Sequence, residues 1–175
     1  MRTGIIICGL NGAGKSTLGR ALAKELGLRF IDIEDIYFPK TDSQNIYASP
    51  RTRKEVETLL YSEFKAHEGF VFASVHGNYG DGICSFLRYA VLVSVPKDVR
   101  MERVKNRSFQ KFGDRVLPGG DLYEQEEKFF DFVKSRAENT SEKWVESLSC
   151  PVIRVDGTKP IEENITYILG EIQIR

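Results

Sequence analysis

The residues Gly9-Leu10-Asn11-Gly12-Ala13-Gly14-Lys15-Ser16 satisfy the pattern G-x-x-x-x-G-K-[ST], and the types and spacing name their chemistry. Gly9, Gly12 and Gly14 let successive backbone N–H groups turn toward phosphate oxygens, because no Cβ blocks the approach. A helix opening at Lys15 adds its N-terminal dipole and unpaired donors. Lys15 offers a compact positive charge to β- and γ-phosphates, and Ser16 offers a hydroxyl to Mg²⁺. Asn11, Ala13 and Thr17 lie within or beside the same cradle. The expected ligand is a nucleoside triphosphate with Mg²⁺.

A phosphate cradle needs a strand before it and a helix after it. Both are present. Short apolar, β-branched runs alternate with helical patterns, the signature of a parallel α/β sheet. The expected strands are Gly4–Cys8, Leu28–Asp32, Phe70–Val75, Tyr89–Val95 and Val152–Asp156. Three of them read as near-continuous apolar runs, as strands covered on both faces should. The spacing predicts a helix over Ser16–Leu26, stopped by Gly27. Ser49-Pro50 reads as the start of a helix gathering Val56, Leu59, Leu60 and Phe64. Pro96 starts another, running to about Arg107. Asp121 with Glu124 forms a capping-box pattern before a long aromatic-rich helix that breaks near Asn139-Thr140. Pro160 begins the last helix, with Ile161, Ile165, Ile168, Leu169 and Ile172 at helical spacing. The fold class is therefore α/β, one doubly wound domain over residues 1–175.

Other groups gather at the carboxyl ends of these strands, where open α/β sheets bind ligands. The second strand ends Asp32-Ile33-Glu34-Asp35. A carboxylate there can hold Mg²⁺, which pairs Asp32 with Ser16, or accept a proton from an acceptor hydroxyl; helix capping by Asp32 or Asp35 is the alternative. Arg100, Arg103 and Arg107 recur along one stripe of a helix that leads into Ser108–Gly120, a segment adding Lys111 and Arg115. An arginine swinging over a γ-phosphate stabilises developing charge, whereas a solvated basic face is the plainer reading. Gly113, Gly119 and Gly120 can act as hinges there, and so long a span suits a lid. After the third strand, His76 and Asn78 lie in a glycine-rich loop within reach of an acceptor, or simply at the surface.

No Asn-Lys-x-Asp element for guanine is present, and the third strand ends without a carboxylate, unlike a remodelling ATPase. In its phosphate loop and in the order of its elements, the chain resembles the shikimate-, gluconate- and adenylate-kinase group of small P-loop kinases. That resemblance implies a five-stranded parallel sheet of order 2-3-1-4-5 with helices on both faces. It also implies an acceptor-binding region near residues 36–68 and a lid near 107–121. Asp32 and Glu34 fall where shikimate-kinase-like members place an Asp-x-Asp pair, Glu34 being a departure. Asp35 resembles an acidic residue of nucleoside and sugar-acid kinases. Arg51 and Arg53, at the start of the acceptor helix, can grip an anionic acceptor, surface charges near a helix start being the alternative. Gly157 and Thr158 fall where related kinases pack adenine against backbone, with Arg103 on the same donor side; a plain strand-to-helix turn is the alternative. Arg107 and Arg115 are the lid arginines.

The carboxylates favour a hydroxyl acceptor, because an alcohol loses a proton and a nucleotide phosphate does not. Tyr37 and Phe38 leave a nucleobase open, and with it a nucleoside monophosphate kinase. A nucleotide-dependent switch or binding module is the reading from another class.

Composition narrows the remaining classes. Formal net charge is zero over 175 residues, which removes the footprint of a general nucleic-acid or membrane-surface binder. Three isolated cysteines, Cys8, Cys84 and Cys150, suit a reducing cytosol rather than a disulfide scaffold. The apolar run after Arg2 is too short for a signal peptide, so a cytoplasmic enzyme with a small-molecule partner is expected.

Overall fold

Strand β1, Thr3–Cys8, is buried at every position, and its side chains alternate between two cores. Ile5 and Ile7 face Leu18 and Leu22 of α1 (Lys15–Leu26) and Ile168 of α7 (Ile161–Glu171). Ile6 and Cys8 face Val56, Leu60 and Phe64 of α3 (Arg53–Ala66). This period of two is why the strand reads as an unbroken apolar run: each face of the sheet carries its own helical layer. The computed structural model describes residues 3–38, 50–80 and 82–172.

Four further strands complete the sheet: β2 (Arg29–Asp32), β3 (Gly69–Ser74), β4 (Leu87–Ser94) and β5 (Val152–Asp156). All pairings are parallel, in the order β2-β3-β1-β4-β5. The chain leaves β1 toward one edge, returns, and continues to the other. Its switch point is therefore the carboxyl end of β1, between β3 and β4, where such sheets bind ligands.

Several helix ends differ from expectation. The helix expected from Ser49-Pro50 begins at Arg53, because Thr52 and Glu55 close a capping box; Ser49 lies outside the described residues. Asp121 caps nothing: Leu122 is the N-cap of α5 (Tyr123–Ser135), and Asp121 is taken by Arg115. Helix α4 (Lys97–Phe112) continues past Arg107 through much of the span expected as a lid, followed by a 3₁₀ turn at Gly113–Val116. Packing explains the extension, since Val104 joins Phe130 and Val133 of α5 in a third apolar cluster, and Ser108 donates to the buried Glu126 carboxylate. The expected break falls between α5 and α6 (Thr140–Val145). A short helix, α2 (Ile33–Tyr37), is capped by Asp32, one of the two capping residues weighed above. Among the described residues no helix is long and apolar enough to cross a membrane.

Candidate active site

The phosphate loop owes its shape to three glycines and one buried arginine. Gly12 and Gly14 have φ of 82° and 91°, a region L side chains rarely adopt. A Cβ on Gly12 would come within 2.3 Å of the Arg100 carbonyl, and one on Gly9 within 2.6 Å of the Val93 carbonyl. Arg100 itself is 2% exposed and donates from Nη1 to the Asn11 carbonyl at 3.3 Å. Inside the loop, Lys15 Nζ donates to the Leu10 carbonyl at 3.1 Å. Burial pushes the Lys15 pKa down to about 8, against the opposing pull of Glu34 and Asp32, while Arg107 adds to the depression. Four charged groups from β1–α1, β2–α2 and α4 thus share one field.

The loop opens into a cleft of about 670 Å³. Its lining brings together Asn11, Gly12, Gly14, Lys15, Ser16 and Thr17 with Asp32, Glu34, Arg53, His76, Arg103 and Arg107, all singled out by sequence. Asp32 does two things. Its Oδ1 accepts from the Glu34 amide at 3.1 Å, the capping role weighed above, and its carboxylate also borders the cleft. Arg53 Nη2 donates to the Asn78 carbonyl at 2.9 Å, which ties α3 to the loop after β3. Arg103 Nη1 donates to the Gly157 carbonyl at 3.0 Å. Gly157 packs so closely that a Cβ there would meet the Ala13 carbonyl at 2.8 Å. Burial lowers the His76 pKa, and the nearby Arg136 and Arg53 charges lower it further.

Other expected residues stand elsewhere. Asp35 is exposed and is not among the cleft-lining residues. Arg51 donates to the Ile36 carbonyl, where it holds α2 against the start of α3. Arg115 forms a two-point pair with Asp121 outside the cleft. Thr158 donates to Asp156 Oδ1 from both its amide and its hydroxyl, closing the turn after β5. Asn78 gives its carbonyl to Arg53 and its amide to His76 Nδ1, its side chain being exposed. Arg100 is spent beneath the loop, so one stripe of arginines has three separate fates.

Sequence reasoning missed the wall opposite. Phe129, Phe132 and Arg136 line the cleft from α5 and its C-cap. Their i, i+3, i+7 spacing was the available signal. Arg136 lies over the Phe132 ring at 5.0 Å, and its Nε is buried without a hydrogen-bond partner among the described residues. Tyr79 also borders the cleft; its hydroxyl is 3.0 Å from Ser74 Oγ, and burial pushes its pKa up to about 12.

A family model described as AAA domain matches residues 5–128. The chain is 31% identical, over an alignment of 179 positions, to the uncharacterized protein YqaC of Bacillus subtilis strain 168, with 97% of each chain covered. It is 30% identical over 120 positions to a shikimate kinase of Clostridium botulinum strain Eklund 17B, covering 67% of this chain and 63% of that enzyme. Among solved structures, a gluconokinase from Sinorhizobium meliloti 1021 shares the fold with a TM-score of 0.54 at 18% identity, over 97% of this chain and 92% of that one.

Proposed function

The chain belongs to the AAA domain family of P-loop proteins, and from that premise we propose that it is a kinase moving the γ-phosphate of ATP onto a hydroxyl of a small anionic molecule. One observation carries the reading. A single cleft holds the phosphate loop, the carboxylates Asp32 and Glu34, and the cations Arg53, Arg107 and Arg136.

The residues present fit the donor. Amides of Gly12 to Ser16 lie on a loop whose positive-φ glycines keep it free of side-chain bulk, and Lys15 sits at its centre. The Ser16 hydroxyl and Asp32 carboxylate are hard oxygen ligands, and Mg²⁺ takes only one or two such protein groups beside phosphate oxygens and water. Bound there, the ion would neutralise charge on the phosphates. Arg103, anchored on the Gly157 carbonyl, borders the turn that would carry the adenine.

On the acceptor side, Arg53 and Arg136 supply paired donors for an anionic group. Glu34, with Asp32 beside it, orients the hydroxyl and receives its proton. Arg107 neutralises the migrating phosphoryl group. Of the two lid arginines weighed from sequence, this assigns the chemistry to Arg107, because Arg115 is held by Asp121 away from the cleft. Residues 113–121, beyond the end of α4, would then close over the cleft about the left-handed Gly113 and Gly119. A nucleotide acceptor is the second reading, favoured by the aromatic side chains Tyr37, Phe38, Phe129 and Phe132 in the same lining.

The test is ADP release from MgATP across hydroxy acids, sugar acids, nucleosides and nucleotides. Strong stimulation by an alcohol-bearing anion is expected. Stimulation by a nucleoside monophosphate alone would move the reading to the alternative, and a flat panel with tight ATP binding would replace a kinase by a binding module.

A further inference from the structure

Arg100 does more than fill space beneath the phosphate loop. Its guanidinium is divided among three parts of the fold. Nε donates to the Val95 carbonyl after β4 at 3.1 Å, and Nη1 to the Asn11 carbonyl in the loop at 3.3 Å. Nη2 donates to Glu138 Oε2, in the connector between α5 and α6, at 2.6 Å. A buried guanidinium must have its donors satisfied and its charge opposed. Where the opposing carboxylate comes from is the informative point.

Glu138 follows Arg136 by two residues, and Arg136 lines the cleft. Three residues further on, Ser141 Oγ donates to the Val75 carbonyl at 2.7 Å, just beyond β3. The connector is therefore held at both ends: where it enters α6, Ser141 ties that helix to the backbone just beyond β3, and Glu138, through Arg100, ties the connector to the backbone of the phosphate loop. Glu138 is half-exposed and its second oxygen is 3.6 Å from Lys97 Nζ, so its burial is not what the fold needs. Its position between loop and connector is.

We propose that the Arg100–Glu138 pair is a strut that fixes Arg136 relative to the phosphate loop, making Arg100 and Glu138 positioning residues for phosphoryl transfer. The loop holds the donor, and Arg136 grips the acceptor in the kinase reading, on which this part of the inference rests. In-line transfer tolerates little misplacement between the two partners. A rigid link across the back of the loop keeps them in register and passes ordering of the loop to the connector.

Hydrogen exchange on the full chain, with and without MgATP, tests the link, and acceptor kinetics test its use. In the wild type, MgATP is expected to slow exchange both in the loop and across residues 136–141. In Glu138→Ala the loop keeps its protection and residues 136–141 lose theirs. With the acceptor found in the panel, Glu138→Ala is expected to raise the acceptor KM about tenfold, roughly 1.4 kcal/mol. Its MgATP Kd stays within about twofold, and Glu138→Asp restores part of the KM. Undiminished protection of 136–141 in Glu138→Ala would overturn the strut. So would a parallel loss of donor and acceptor affinity that tracks the melting temperature, the mark of a merely structural residue. A flat acceptor panel with the exchange pattern intact would sink the kinase reading and leave the physical link standing. No nucleotide protection in the wild type would overturn both.

Discussion

At the scale of single residues, Lys15 is the group whose state decides most. Its ammonium lies against the Leu10 carbonyl, and burial holds its pKa down at about 8. Two consequences follow with opposite appearance. A triphosphate binds the charged form, so the MgATP Kd is expected to rise as pH climbs through about 8, approaching tenfold per unit. Stability of the free protein moves the other way. Because the folded pKa is depressed below the unfolded value of about 10.4, the unfolded chain binds more protons between those values. The contribution of Lys15 to stability therefore increases from about pH 8 to about pH 10. Nucleotide titrations and urea melts across that range, each compared with Lys15→Met, check both signs. In Lys15→Met the two slopes flatten together.

Secondary-structure elements set the tolerances around that lysine. Helix α4 touches the loop through backbone, because the Arg100 carbonyl fills the space a Cβ at residue 12 would need. Gly12→Ala therefore meets a 2.3 Å contact and a φ of 82° at once. It is expected to lower MgATP affinity by at least about 10-fold, an effect of roughly 1.4 kcal/mol, while the far-UV circular dichroism stays unchanged. Across the sheet from α1, Phe64 anchors α3. It is fully buried and stacks on Phe70 with ring centroids 4.0 Å apart. Phe64→Ala is expected to cost about 3–5 kcal/mol in denaturant unfolding. Because α3 also carries Arg53, acceptor affinity should fall in the same variant. Helix starts were only partly legible. Thr52-Arg53-Lys54-Glu55 and Asp121-Leu122-Tyr123-Glu124 are equally good capping patterns on paper. The first forms its box, whereas in the second Arg115 takes the aspartate. A guanidinium from six residues earlier competes with local backbone, and no local pattern reveals which wins.

The whole molecule places these elements by one topological fact, the reversal of strand order at β1. The phosphate loop and the strands were readable because glycine punctuation and apolar runs are local signals, whereas the strand order came only with the family resemblance. Roles of individual cations were not. Arg100, Arg103 and Arg107 look like one stripe, yet each turn of α4 points its arginine at a different neighbour: the loop, the turn after β5, and the cleft. Tyr79 enters the cleft through tertiary packing, and Arg136 carried only the helical spacing it shares with Phe129 and Phe132, which does not say what that face meets. The most direct measurement follows γ-labelled ATP incubated with the acceptor panel, separating label on an organic product from label released as inorganic phosphate. The account expects label on one hydroxyl-bearing anion with the wild type and on none with Lys15→Met. Label appearing only as inorganic phosphate, at a rate no acceptor alters, would contradict it.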